Sequence, residues 1–242
     1  MLTPPLSVIM PAYNEEGLID QAIREVRDYV FAVVPEAEFI LIDDGSRDRT
    51  AQIADEWAIK ERRLRVLHVP NGGHGKALRH GLQTAAGERV LLLDSDCQIA
   101  LDHFAGAWSL ALKNDALLGM RRVREDPWIR RWITVGLRRL VPIIFGVQVH
   151  DSNCPFKIFP RSVWKEASPL IPEETLAPSI LLAVFLRASL PHVLEYPIRH
   201  RSRTAGTSMF SLKRLAIFST RTLIQMLNFR GRLKTWLKTR AS

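Results

Sequence analysis

Residues 90–98, "VLLLDSDCQ", run four apolar side chains into two carboxylates one residue apart, Asp94 and Asp96. Two acids at that spacing concentrate negative charge at one point. Hard carboxylate oxygens suit Mg2+ or Mn2+, and such a cation would in turn hold a diphosphate. The pattern recurs along the first hundred residues. "PAYNEE" (11–16), "DDGSRDRT" (43–50) and "NGGHGKA" (71–77) each follow a short apolar run. A single acidic strand end is ordinarily a helix cap, and Asp48 alone would be read that way. Acids, glycines and one lysine at several strand ends call for a cation. "GGHGKA" also resembles a phosphate-binding P-loop, but Pro70 stands where the first glycine belongs and Ala77 where Ser or Thr belongs. Lys76 therefore either meets a phosphate or simply begins a helix.

These residues must be positioned by alternating strands and helices. The runs 6–10, 38–42, 65–69 and 89–93 read as strands, and 16–30, 48–61 and 75–86 have helical spacing. Strands apolar on both faces and separated by helices predict an α/β fold, a mostly parallel sheet covered on both sides. Ligands of such sheets bind at the carboxyl ends of the strands, which is where the acids lie.

Composition narrows the function classes. The chain has 242 residues, 47% of them hydrophobic, enough for one large domain or two closely packed halves. Cys97 and Cys154 have no zinc-ligand spacing and favour a reduced, cytosolic setting. "MLTPPLSVIM" lacks the basic and cleavage regions of a signal peptide, and no apolar run approaches the ~18 residues of a membrane span. The net charge of +9 is uneven: residues 197–242 hold eleven Lys/Arg and no acid, while the first 196 hold 23 basic and 25 acidic side chains. A basic tail points to an anionic surface, lipid headgroups or nucleic acid.

"SVIMPAYNEE", "LIDDGSRDRT", "NGGHGKALRHGL" and "LLLDSD", in that order, resemble the N-terminal half of family 2 glycosyltransferases of the GT-A fold. "DSNCPFKIFPRSV" (151–163) and "EYPIRHRSRTAGTS" (195–208) are similar to the polyprenyl-phosphate sugar transferases, the dolichol-phosphate-mannose-synthase group. The resemblance covers roughly residues 5 to 210. It implies a nucleotide-sugar-binding half over 1–125, an acceptor-binding half over 126–210 and a basic helical tail over 211–242. It implies a metal-dependent, inverting transfer of a hexose from a donor such as GDP-mannose or UDP-glucose to polyprenyl phosphate. "DSD" then matches the family's DxD motif: Asp96 is the direct metal ligand, and Asp94 shares the metal or holds the ribose. Gln98 adds an oxygen ligand or merely lies at the surface. Pro11, Tyr13, Glu15, Asp43, Asp44 and Ser95 line the donor pocket with Lys76, although Pro11 and Tyr13 also suit turn packing.

Relatives acting on alcohols need a carboxylate base at the start of a helix in the second half. Here the corresponding position falls near Leu181, inside an apolar run. Either Glu173 or Glu174 takes the role from a shifted position, or no base is needed because a phosphate acceptor is already ionised. The second case needs positive charge instead. Residues 119–139 carry seven arginines, and arginine suits bidentate phosphate contacts. The resemblance assigns Arg121, Arg122, Arg130, Thr134 and Ser208 to the acceptor and Arg203 to the transfer itself. The alternative for any one of the 119–139 arginines is a solvated helix face. Competing functions are a GT-A enzyme acting on a saccharide or lipid hydroxyl, a nucleic-acid binder, and a non-catalytic nucleotide binder. No nucleic-acid partner is expected, for want of a recognised motif.

In the tail, Leu212, Leu215, Ala216, Leu223, Met226 and Leu227 recur at helical spacing, and Leu233, Trp236 and Leu237 form a second apolar piece beyond Gly231, which is expected to interrupt the helix. The expectation is an interfacial helix on the inner face of the cytoplasmic membrane, peripheral because Arg221 sits in the longest apolar stretch. The alternative is that this helix packs on the sheet.

Overall fold

The computed structural model of the protein describes residues 5–121, 136, 139–201 and 212–241. Seven strands form one sheet in the order β3-β2-β1-β4-β6-β5-β7. β1 (Leu6–Ala12), β2 (Glu38–Asp43), β3 (Leu64–His68) and β4 (Arg89–Leu92) are mutually parallel. β6 (Lys157–Pro160) runs antiparallel between β4 and β5 (Ala116–Arg121), and β7 (Val193–Ile198) lies parallel to β5 at the edge. The expected parallel α/β sheet is therefore present, extended by a mixed half.

Strand periodicity divides the core in two. Along β1, Leu6, Val8 and Met10 face one way and pack with α1 (Ile19–Glu25), α2 (Thr50–Lys60) and α4 (Phe104–Ala111). Ile9 faces the other way and packs with α3 (His74–Thr84), α6 (Arg161–Ala167), α7 (Pro178–Ser189) and the helical residues 139–145 (α5). At Gly81 of α3 a Cβ would stand 2.5 Å from Ile9 Cγ2, so the absent side chain is what lets α3 lie close on β1 and β2. The helix expected over 16–30 starts later, at Ile19, and its last turn, Val26–Val30, is a π-helix.

The tail differs from expectation in two ways. α8 (Leu212–Ala241) is a single 30-residue helix that passes through Gly231 without a break. A lone glycine costs a helix only about 1 kcal/mol, and docking supplies more than that. The docked face is Met226, Phe229 and Leu233, all buried against the α7 side of the core, with Trp236 against Phe185. Met226 thus parts from Leu223 and Leu227, which are exposed with Ile224 on a separate strip.

Phe229→Ala empties a fully buried aromatic site between α8 and the core. It is expected to lower stability by about 3–5 kcal/mol, measured by urea denaturation. A change below about 1 kcal/mol would show that α8 is not docked as described.

Candidate active site

Because β1 to β4 are parallel, their carboxyl ends deliver four loops to one edge, and the first two loops interlock. Asn14 N–H donates to Ser46 Oγ (3.1 Å) and Arg47 N–H to Asn14 Oδ1 (2.8 Å). Glu15 N–H donates to Thr50 Oγ1 (2.8 Å), and Glu16 N–H to Asp48 Oδ2 (3.1 Å). Asp48 also accepts the Thr50 N–H at the start of α2 (3.0 Å), the role its position suggested. Burial pushes the Asp48 carboxyl upward, but hydrogen bonds from the Thr50 hydroxyl and from the Thr50 and Glu16 backbone outweigh it and leave it below its ordinary value.

The two adjacent acids after β2 part company. Asp44 is buried, and its two oxygens accept the N–H groups of Gly72 (2.8 Å) and Gly73 (2.9 Å), while Asn71 Nδ2 donates to its carbonyl (2.9 Å). The glycine loop is thereby strapped to the end of β2. Gly73 holds φ +85°, a conformation side chains disfavour, as it turns the chain into α3. Asp43 points elsewhere, accepting Ser46 N–H (3.0 Å) and meeting His68 Nδ1 (3.1 Å). His68 Nε2 reaches Asp55 (3.1 Å), and its imidazole is raised in pKa, first by the Asp43 hydrogen bond and then, against burial, by Asp55.

The result is a cleft of about 410 Å³. Of the residues foreseen for the donor pocket and metal, Pro11, Tyr13, Glu15, Asp44, Asp94, Ser95 and Asp96 line it. Asn71, Gly73 and His74 line it as well and were not singled out; their signal lay in "NGGHGKA", where attention fell on the lysine. Three foreseen residues are not among its walls. Asp43 is turned to His68. Gln98 gives its N–H to Asp96 Oδ1 (3.1 Å) and takes the Arg201 N–H on its carbonyl (2.8 Å). Lys76 pairs with Glu174 (3.1 Å), because α3 begins at His74 and its periodicity turns His74 and Ala77 to the cleft and Lys76 away.

A second lobe of about 280 Å³ adjoins the first, sharing His74 and Asp94. Asn153, Pro155 and the stretch Leu176–Ser179 at the start of α7 complete it. Leu181 is a buried core residue of α7, and neither Glu173 nor Glu174 lines the lobe, Glu174 being paired with Lys76. Asp94 is the lobe's one carboxylate among the described residues. Arg121, foreseen for the acceptor, gives its guanidinium to buried Asp151 in a bidentate pair (2.7 and 2.8 Å). Arg122, Arg130, Thr134, Arg203 and Ser208 lie outside the described residues.

Among the described residues no cluster of three or more His, Cys, Asp or Glu side chains could cage a metal ion. Asp94 and Asp96 on one cleft wall do fit a hard divalent cation that completes its shell with substrate oxygens and water, which is how Mg2+ in particular binds beside phosphates.

Residues 7–166 match the family model described as glycosyl transferase family 2. An undecaprenyl-phosphate 4-deoxy-4-formamido-L-arabinose transferase of Pseudomonas aeruginosa (strain LESB58) is 29% identical over 213 residues, covering 87% of this chain and 61% of that protein. The protein of the same name from Edwardsiella ictaluri (strain 93-146) is 28% identical, covering 87% and 64%. The chain thus spans about six-tenths of the length of the curated relatives it matches. The crystal structure of glucosyl-3-phosphoglycerate synthase from Mycobacterium tuberculosis in complex with UDP superposes with a TM-score of 0.68 at 22% identity, covering 94% of this chain and 80% of that one. Another structure of that synthase holds Mn2+ with UDP and phosphoglyceric acid. S. aureus TarS in complex with UDP-GlcNAc gives 0.63 at 22% identity, over 92% and 66%. The fold is the mixed α/β sheet of the GT-A type.

The His68 pair carries a pH signature. A group whose folded pKa is raised adds stability below its unfolded value, near 6.5, and loses it as pH rises through the folded value. Relative to His68→Gln, the wild type is therefore expected to lose thermal stability as pH climbs from about 6 to 8. Parallel pH curves for the two proteins would remove the pairing.

Proposed function

The chain belongs to glycosyl transferase family 2, and from that premise we propose that it transfers a sugar from a nucleotide sugar to polyprenyl phosphate with inversion at the sugar. The observation that carries the acceptor class is the second lobe. Where a relative that activates an alcohol needs a carboxylate, this lobe offers, among the described residues, His74, Ser179, Asn153 and apolar walls, with Asp94 as its one acid. With Asp94 committed to the metal, no carboxylate among them is left to take an alcohol's proton. A phosphate monoester is already ionised, so its oxygen can bond to the sugar's anomeric carbon as the bond to the departing diphosphate breaks, with no proton to remove.

In this reading Tyr13 and Pro11 flank the nucleoside, Tyr13 with an exposed ring suited to stacking. Asp44 keeps the glycine loop open at the width of the nucleotide. Asp94 and Asp96 hold Mg2+ or Mn2+, which would supply Lewis-acid stabilisation of the leaving diphosphate. His74 stands between the lobes, 3.9 Å from Asp94, and so borders the sugar. The segment holding Arg122, Arg130, Thr134, Arg203 and Ser208 supplies the cations for the acceptor phosphate. The name printed for the Pseudomonas and Edwardsiella proteins, a sugar transferase to undecaprenyl phosphate, supports this acceptor.

A lipid acceptor calls for a membrane-facing surface. No helix among the described residues is long and apolar enough to cross a membrane. α8 instead carries Leu223 (38% exposed), Ile224 (53%) and Leu227 (49%) on a strip flanked by exposed Arg221 and Arg230. That combination suits shallow insertion among anionic headgroups, at roughly 1 kcal/mol per cation, and a place on the inner face of the membrane.

The decisive assay is a panel of radiolabelled nucleotide sugars with undecaprenyl or dolichyl phosphate, resolving lipid-linked product. One donor should yield product. Asp96→Ala should cut turnover by at least about a hundredfold, as should EDTA on the wild type, with the fold kept. Transfer by Asp96→Ala at the wild-type rate would sink the metal role, and product only on a free hydroxyl would sink the acceptor.

The membrane strip is tested by Leu223→Glu, Ile224→Glu and Leu227→Glu together, in co-sedimentation with vesicles containing anionic lipid. Truncating the tail would tear Phe229 from the core, so the substitutions are the cleaner test. Binding should fall at least about tenfold; equal partitioning of both proteins would leave α8 as core packing alone.

A further inference from the structure

Lys157 is fully buried on the central strand β6, in register with Leu92 of β4 and Leu118 of β5. Among the described residues it forms no ion pair. Its ammonium instead donates to the Ser152 carbonyl (3.3 Å), the Cys154 carbonyl and Ser179 Oγ (2.6 Å). Ser179 Oγ in turn donates to the Cys154 carbonyl (3.2 Å). These acceptors sit on the two walls of the second lobe. Ser152 and Cys154 flank Asn153, and Cys154 precedes Pro155, both lobe residues; Ser179 is itself a lobe residue at the start of α7.

We propose that Lys157 is a positioning residue for transfer: its ammonium fastens the 151–156 loop to the start of α7 and so fixes the lobe wall that faces Asp94. This rests on reading the cleft as the site of transfer. An apolar side chain at this strand position would fill the space without a desolvated charge, and such replacements are often neutral or stabilising. A bare cation among three neutral acceptors is a poor device for stability. As a three-pronged tie between two separate segments it holds a geometry that packing alone would leave loose.

The charged and titratable groups around it are Cys154 and Asp151 on the adjoining loop, Arg121 at the end of β5 and Asp94 beyond β4; α7 contributes the uncharged Ser179. Burial dominates and brings the ammonium down to about 8. The unfolded chain then binds the extra proton between pH 8 and 10.5, so the lysine weakens the fold most below pH 8 and less as pH rises. The tie is charged, and strongest, over the same range in which it costs stability.

The test uses the full chain with Lys157→Met, Ser179→Ala and the double variant. Cys154 is fully buried behind the tie, so its carboxymethylation rate at pH 7, located by peptide mass, reports opening of the wall without any transfer assay. Lys157→Met should melt at or above the wild-type temperature at pH 7, with that advantage shrinking toward pH 10. It should label Cys154 at least about tenfold faster, and lower kcat at least about tenfold, the loss of a charge-assisted hydrogen bond. UDP affinity should stay within about twofold. The double variant should match Lys157→Met, because both changes cut one tie. Wild-type labelling of Cys154 in folded Lys157→Met overturns the proposal. If Lys157→Met does not fold, Ser179→Ala decides by the same labelling. If the wild type transfers no sugar from any donor, the proposed activity falls, and the labelling still decides the tie.

Discussion

Two hydrogen bonds from Gly72 and Gly73 to the buried carboxylate of Asp44 set the shape on which the cleft depends. A carboxylate removed from water must be matched by donors, and here the donors are two glycine N–H groups, with Asn71 Nδ2 adding a bond to the Asp44 carbonyl. The strap fixes where α3 begins. That start decides which residues of "NGGHGKA" look into the cleft: Gly73, His74 and Ala77 do, and Lys76 turns out to Glu174. Gly75 completes the arrangement, since a Cβ there would stand 2.5 Å from the Thr175 carbonyl, so α3 lies directly against the segment that leads into α7. One buried acid just beyond β2 thus links the donor lobe to the second lobe.

The part of the site legible in the sequence is the part fixed by strand ends. Asp94 and Asp96, Pro11 with Tyr13 and Glu15, and Asp44 all follow parallel strands, and parallel strands bring their carboxyl ends to one edge whatever the intervening helices do. The residues that the structure places away from the cleft differ in side-chain direction. Asp43 and Asp44 are neighbours, and successive residues leaving a strand point to opposite sides. One therefore binds the glycine loop, and the other meets His68. Lys76 sits one step round the helical turn from Ala77 and pairs with Glu174 in this structure. In the tail, the pattern of apolar residues revealed a helix but not its inward face, because Leu223, Met226 and Leu227 look alike in a list of hydrophobic positions. In the structure Met226, Phe229 and Leu233 turn inward, with Trp236 against Phe185. The mixed half of the sheet was hardest to foresee, since β6 has four residues and runs against its neighbours.

The charge arrangement explains why the second lobe tolerates so few acids. Asp94 already serves it, and a second carboxylate beside the departing diphosphate and an ionised acceptor would repel both. Arg121 does not relieve that repulsion, because Asp151 holds it in a bidentate pair. The described walls carry Glu15, Asp44, Asp94 and Asp96 and no Lys or Arg. On the proposed function, the acceptor's charge would be met by arginines of 122–135 and 202–211, which lie outside the described residues, or by the metal that Asp94 and Asp96 suit.

One side chain ties the tail to the second lobe. Gln225 lies on α8 between the exposed strip and the docked face; its amide donates to the Glu174 carbonyl (3.0 Å) and its oxygen accepts the Leu176 N–H (2.9 Å). Leu176 is a wall of the second lobe. A 30-residue helix is about 45 Å long, and the turns that dock Met226, Phe229 and Leu233 carry Arg221, Leu223, Ile224, Leu227 and Arg230 on their outer side. A helix lying in the interface would therefore set the orientation of the lobe directly, through hydrogen bonds rather than through a hinge. An acceptor whose phosphate stays at the headgroup level and whose chain stays in the bilayer meets the sugar only if the lobe opens toward the membrane. Gln225 couples the surface that would choose that orientation to the wall that would use it.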